Sequence, residues 1–136
     1  MPEQLPTGTE RILFVDDEAP IAKMGSQILE RLGYSVTTRT SSVDALELFQ
    51  KKPADFDLVV TDMTMPNMTG DKLAVALMQV RSDIPIILCT GYSKKISDEL
   101  ASDIGIKALA YKPIVKADLA KTVRKVLDEA KSETQQ

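Results

Sequence analysis

Four runs of consecutive apolar residues and one β-branched segment alternate along the chain with stretches whose apolar residues recur every three or four positions. Ile12-Leu13-Phe14-Val15 is apolar throughout and of strand length, which predicts a strand covered on both faces. Pro20 then stands near the start of a predicted helix with Ile21, Met24, Ile28 and Leu32 as its apolar stripe and Gly33 as its stop. Tyr34 to Arg39 is a β-branched strand whose weak apolar character suits a sheet edge. Ser41 or Ser42 caps the following helix, which buries Ala45, Leu46 and Phe49.

Phe56 to Asp62 is the third predicted strand. Pro66 and Gly70 stop it and fix the turn before a helix with Leu73, Leu77 and Val80 on one side. Pro85 to Thr90 is the fourth, followed by a helix capped at Ser93, with Ile96, Leu100 and Ile104 inward and Gly105 closing it. Ala108 to Lys112 is the fifth, ended by Pro113, and Leu119, Val123, Val126, Leu127 and Ala130 form the stripe of a last helix. Strands alternating with helices imply an α/β parallel sheet, doubly wound with helices on both faces.

Composition narrows the class. The 136 residues make one compact domain, expected at 10–131, with a flexible leader at 1–9 and a polar tail at 132–136. No apolar run approaches the length of a membrane span, and the polar N-terminus has neither the basic segment nor the apolar core of a signal peptide. A single cysteine, Cys89, and no histidine exclude an intramolecular disulfide and a Cys/His metal site, and fit a reducing cytoplasm. Cys89 itself reads as a small core residue, and the six methionines as packing and loop residues. A net charge of -3 argues against direct nucleic-acid binding. The basic residues of the last helix read as a solvated face.

The chemistry gathers at strand ends. In doubly wound sheets functional groups collect outside the carboxyl ends of the strands. Asp16-Asp17, Asp62, Thr90 and Lys112 fall at four such ends. Three carboxylates brought together repel one another unless a cation intervenes, and magnesium, a hard ion that takes one or two carboxylates plus a phosphate oxygen, suits them. Asp62 is ionised at neutral pH and needs no general base to attack phosphorus, so the lack of histidine is no obstacle. A lysine, a hydroxyl and a divalent ion are suitable parts for phosphoryl transfer. Asp17 and Glu18 could alternatively serve only the dipole of the first helix, but Asp62 and Lys112-Pro113 would then stand unexplained.

These segments, Ile12 to Glu18, Asp62-Met63-Thr64-Met65-Pro66-Asn67-Met68-Thr69-Gly70, Thr90-Gly91-Tyr92 and Tyr111-Lys112-Pro113, resemble in order and separation the receiver domain of two-component response regulators. The resemblance covers residues 10 to 130 and implies a flavodoxin-like, five-stranded sheet of order 2-1-3-4-5 with five helices. It implies that Asp62 accepts a phosphoryl group from a phosphohistidine of a histidine kinase or a histidine phosphotransfer protein. Asp17, Asp62 and the backbone carbonyl of Thr64 would hold Mg2+, with Asp16 acting directly or through water. Lys112 would pair with the phosphoryl group across a Lys-Pro bond that is typically cis, and Thr90 would move to hydrogen-bond it. Thr64 and Tyr92 flank the pocket in the family and tune the acyl phosphate's lifetime. Gly91, next to Thr90, reads either as leaving the pocket open to donor or water or, more commonly for a glycine after a strand, as a simple turn.

The switch residues depart from the pattern. The family usually carries an aromatic residue three positions before the lysine. Here Leu109 stands there, lacking the ring and hydroxyl of the usual readout, and Tyr111 adjoins the lysine. Thr90, Leu109 and Tyr111 are the switch candidates. The expected role is regulatory phosphoacceptance rather than that of an enzyme, with self-catalysed phosphorylation from small acyl phosphates and self-catalysed dephosphorylation. Two alternatives are set against it: a magnesium-dependent aspartyl-phosphate phosphatase, which normally has a second aspartate where this chain has Thr64, and an unphosphorylated interaction-only module. The segments around Thr90 and Lys112 are similar to receivers of hybrid histidine kinases, which is favoured over a free-standing regulator. No direct membrane contact is expected, and a monomer is favoured.

Overall fold

The structure, a computed structural model, describes residues 4–91 and 98–134. Five parallel strands, β1 (Arg11–Val15), β2 (Ser35–Arg39), β3 (Leu58–Asp62), β4 (Ile86–Thr90) and β5 (Ala108–Tyr111), form one sheet in the order β2-β1-β3-β4-β5. They alternate with α1 (Ala19–Arg31), α2 (Ser42–Lys51), α3 (Gly70–Val80), α4 (Asp98–Ile104) and α5 (Lys116–Thr134). A 3-10 turn at Pro53–Asp55 leads into β3. The flavodoxin-like order and the edge position of β2 are as the sequence implies.

Burial explains the sheet. All five residues of β3 and of β4 are buried, as befits central strands sandwiched between helices. One apolar cluster lies under α2 and α3 and contains Leu13, Phe49, Val59, Leu73, Leu77 and Leu88. The other lies under α1 and α5 and contains Ile12, Phe14, Leu29, Val60, Val123 and Leu127. Alternate residues of β1 therefore feed opposite clusters, the period-2 signature of a strand.

Two helices depart in part from the expected stripes, although Ile28 and Leu32 of the first and Ile104 of the second do pack against the core. In α1 the buried residues are Ala22, Gly25 and Leu29, while Met24 is 40% exposed. The cause is Phe14: a Cβ on Gly25 would collide with its ring, so the helix offers its small residues to the phenylalanine. In α4, Ala101 is buried and Leu100 is 48% exposed, against the inward placement expected for Leu100. Gly105, at φ 110°, ends that helix and folds the chain back so that the Ile106 amide donates to the Ala101 carbonyl at 2.9 Å. Ile106 is buried in the cluster under α2 and α3. Val80, expected inward on α3, is also exposed. Ser41 is the residue that caps α2, accepting the Asp44 amide at 3.3 Å. Ser93 and Ile96 lie outside the described residues.

The described residues before β1 and after Lys131 make contacts of their own. Leu5 packs against the cluster under α1 and α5, and the Gly8 amide donates to the Leu32 carbonyl at 3.1 Å. Arg124 on α5 donates to the Thr7 carbonyl at 3.1 Å and to Glu10 at 2.6 Å, and Lys131 reaches Glu10 at 2.6 Å. Residues Ser132 to Thr134 continue α5. The Arg124 hydrogen bond, helped by Lys131, outweighs burial and lowers the Glu10 carboxyl from 4.5 to about 2. A depressed folded-state value means stability that is fully present above 4.5 and lost as the pH falls through about 2. Glu10→Gln is expected to cost about 1–2 kcal/mol at neutral pH. It should also flatten the acid limb of the stability profile, which chemical denaturation at a series of pH values measures.

Candidate functional site

The carboxyl ends of β1, β3, β4 and β5 meet at one edge of the sheet because β1 and β3 are neighbours at its centre and β4 and β5 follow in order. Asp16 is the first residue past β1. Its amide donates to the Arg39 carbonyl at 3.1 Å, and its Oδ1 accepts the Glu18 amide at 2.9 Å, which fixes the side chain on the approach to α1. Asp62 is the last residue of β3. Both are buried, Asp16 at 1% and Asp62 at 6% exposure, whereas Asp17 is open to solvent.

Lys112 joins them. Its Nζ lies 2.9 Å from Asp62 Oδ1 and 3.2 Å from Asp16 Oδ2. The lysine is held in turn by its own amide, which donates to the Thr90 carbonyl at 2.9 Å, and it precedes a cis peptide to Pro113. Burial pushes the Asp62 carboxyl above its ordinary value. The Lys112 hydrogen bond opposes that rise, and the charges of Asp16 and Asp17 add to it. For Lys112, burial favours the neutral amine, but the Asp62 hydrogen bond and the charges of both aspartates prevail and raise it. The site therefore holds a buried carboxylate under like-charge repulsion, steadied by one ammonium.

Oxygen atoms of Asp16, Asp17 and Asp62 all lie within 4.8 Å of one another. Three hard oxygen donors this close, one of them solvent-facing, fit a small divalent ion that keeps several waters, so the donor set suits magnesium. Thr64 is exposed on the loop that follows β3, two residues beyond Asp62.

The expected switch residues are spread along the same end of the sheet. Thr90 is buried, and its hydroxyl donates to the Gly91 carbonyl at 3.4 Å. Leu109 is half-buried against the cluster under α2 and α3, and Tyr111, on the same face of β5, is 49% exposed. Tyr92 lies outside the described residues. Among the described residues, nothing lies within 4 Å of a Cβ placed on Gly91.

The loop after Asp62 divides two backbone roles between Asn67 and Gly70. Asn67, not Gly70, takes the left-handed backbone, at φ 69°. Gly70 is required for closeness: its Cβ would collide with the Asp62 carbonyl oxygen, and its amide donates to the Met63 carbonyl at 2.8 Å. An Asn within a Pro-Asn-Met turn is the local signal for the first role. Nothing local signals the second, which depends on where β3 ends relative to α3.

A family profile described as response regulator receiver domain matches residues 12–124. Among curated relatives, the sensor kinase CckA of Brucella abortus (strain 2308) is 32% identical over 123 residues, covering 90% of this chain and 13% of the relative. The two-component response regulator ARR10 of Arabidopsis thaliana is 37% identical over 91 residues, covering 67% of this chain and 16% of the relative. The chain thus spans a small part of the length of these relatives. A CheY-like response regulator receiver domain protein from Methanospirillum hungatei JF-1 superposes with a TM-score of 0.82 at 30% identity, covering 93% of this chain and 99% of that one. A receiver domain protein from Clostridium thermocellum gives a TM-score of 0.85 at 28% identity, covering 90% and 97%. With the profile running from β1 into α5 and the whole sheet superposing on receiver structures, this chain belongs to the response regulator receiver domain family of two-component signalling.

Proposed function

We propose that Asp62 is the phosphoacceptor and that the donor is a phosphohistidine of a histidine kinase or histidine phosphotransfer protein. An Asp62 carboxylate oxygen attacks phosphorus, an O–P bond forms, and the P–N bond breaks with its electron pair leaving on the imidazole. Lys112 pairs with the incoming phosphoryl oxygens in place of its present carboxylate contacts, and Thr90 supplies a hydroxyl to them. The observation that carries this reading is the Lys112 ammonium held between two buried carboxylates, 2.9 Å and 3.2 Å away, at the one edge where strand ends converge. Such a group is already placed where negative charge will accumulate.

Asp16, Asp17, Asp62 and the carbonyl of Thr64 would hold Mg2+. Bound there, the ion supplies positive charge that offsets the carboxylates and the phosphoryl oxygens. An apolar hollow lined by Ile21, Met24, Gly91, Lys112, Pro113 and Ile114 opens beside the site and offers the donor protein a surface. Among the described residues no helix is long and apolar enough to cross a membrane. The working compartment we assign is the cytoplasm, and the role is regulatory: phosphorylation shifts the equilibrium between two arrangements of α4 and β5, through Thr90, Leu109 and Tyr111.

Magnesium alone tests the metal assignment. Ligand that binds only the folded state stabilises it by mass action, by about 2.7 kcal/mol at one hundred times the dissociation constant. A domain of this size should then melt several degrees higher. The shift should vanish in Asp17→Ala, whose exposed side chain contributes little to the fold. An equal shift in both proteins would remove Asp17 from the metal site.

A further inference from the structure

We infer that Thr61 is a positioning residue for the phosphoacceptor: its buried hydroxyl fixes the peptide plane that follows Asp62, and through it both the Asp62 carboxylate and the path of the chain to Thr64. The inference rests on the assignment of Asp62 above. Thr61 is completely buried, and by the alternation of β3 it points to the opposite face from Asp62, the face of Val59 and the cluster under α2 and α3. A hydroxyl there needs a partner, and it donates to the carbonyl oxygen of Asp62 at 3.2 Å.

That carbonyl stands where the sheet gives out on one side. The last rung between β1 and β3 pairs Val15 with Thr61, so Asp62 has no paired residue in β1, while on the other side it still pairs with Cys89 of β4. The peptide joining Asp62 to Met63 is consequently gripped from both directions. Its N–H donates to the Cys89 carbonyl at 2.8 Å, and its C=O is held by the Thr61 hydroxyl and backed by Gly70. The next carbonyl, that of Met63, accepts the Gly70 amide at 2.8 Å. Rotation of this plane would swing the Asp62 side chain relative to Lys112 and redirect the carbonyl of Thr64. Thr61 blocks that rotation at the position where the β1 ladder has ended.

Thr61→Val keeps the shape and removes the hydroxyl, and Thr61→Ser keeps the hydroxyl and removes a methyl. Two readouts are made on each variant and the wild-type chain: the rate of phosphoryl uptake from acetyl phosphate with Mg2+, and the Mg2+ concentration that gives half of the maximal thermal shift. The loss of one hydrogen bond that holds a reacting group is expected to slow uptake about tenfold in Thr61→Val and to raise the half-shift concentration several-fold. Thr61→Ser should restore both, because the bond and not the methyl is the operative part. Wild-type values in Thr61→Val, or equal defects in the two variants, would overturn the inference, the second by assigning the effect to packing. If the wild-type chain takes up no phosphoryl group the Asp62 assignment fails by itself, and the Mg2+ readout still decides whether Thr61 orients the site.

Discussion

Asp62→Asn is expected to take up no phosphoryl group from any donor and, at neutral pH, to melt a few degrees above the wild-type chain. The first part follows from the chemistry, because the amide offers no anionic oxygen to phosphorus. The second follows from the electrostatics of the site. Asp62 is buried beside Asp16 and Asp17, and its carboxyl is raised above the ordinary value, burial being the largest cause. A carboxyl whose folded-state value lies above its unfolded value costs stability that builds up as the pH rises from the unfolded value through the folded one, is fully present above the folded value, and is gone below the unfolded value. Asn is neutral at every pH, so its advantage should be greatest near neutrality and shrink on acidification. Lys112 keeps its contact with Asp16 at 3.2 Å when Asp62 loses its charge, which limits the compensating loss. Stability exchanged for activity at one residue is what a functional carboxylate in an acidic pocket implies. Thermal melts of the two proteins across pH, without metal, check the sign. A variant that melts lower at neutral pH would show that the Lys112 pairing outweighs the repulsion.

Gly70→Ala should have the largest effect on folding of any single methyl group near the site. The added Cβ would occupy the space of the Asp62 carbonyl oxygen and also press on the Leu88 side chain at 2.7 Å. Backbone on one side and a fully buried leucine on the other leave little room to yield. The expected cost is about 2–3 kcal/mol, in the range of overpacked cores. Whatever relief the chain finds must move the end of β3, so phosphoryl uptake by the surviving folded protein should be slow as well. Urea unfolding gives the first quantity and labelling kinetics under folding conditions the second. Loss of stability with unaltered kinetics would mean that α3 shifts away and leaves Asp62 in place.

Much of the fold was legible because the strands write their burial directly. Ile12 to Val15, Leu58 to Val60 and Ile86 to Cys89 are apolar without interruption, as strands covered on both faces are. Helix faces were less legible, since periodicity gives weight to large side chains. The sheet took Ala22 and Gly25 from α1 to accommodate Phe14, and Ala101 rather than Leu100 from α4. The leader looked flexible because its composition is polar. What fastens it, Arg124, is 117 residues from Thr7, and no local pattern announces such a contact.

The candidate site was legible in its membership for a physical reason: one sheet topology brings the carboxyl ends of particular strands together. Asp16, Asp17, Asp62, Thr90 and Lys112 could be assembled from that rule alone. Their mutual geometry could not. That Lys112 bridges two carboxylates, that Asp17 faces solvent while Asp16 is buried, and that Thr90 bonds to Gly91 all depend on side-chain paths that spacing does not determine. The close approach of Gly70 to Asp62 belongs to the same class.

The most direct test of the central claim is to treat the wild-type chain with acetyl phosphate and Mg2+, trap the acyl phosphate by borohydride reduction, and locate the modified residue by peptide mass spectrometry. The expected result is a single reduced site at Asp62, absent when Mg2+ is chelated. Modification at another carboxylate, or none with a competent donor and metal present, would contradict it.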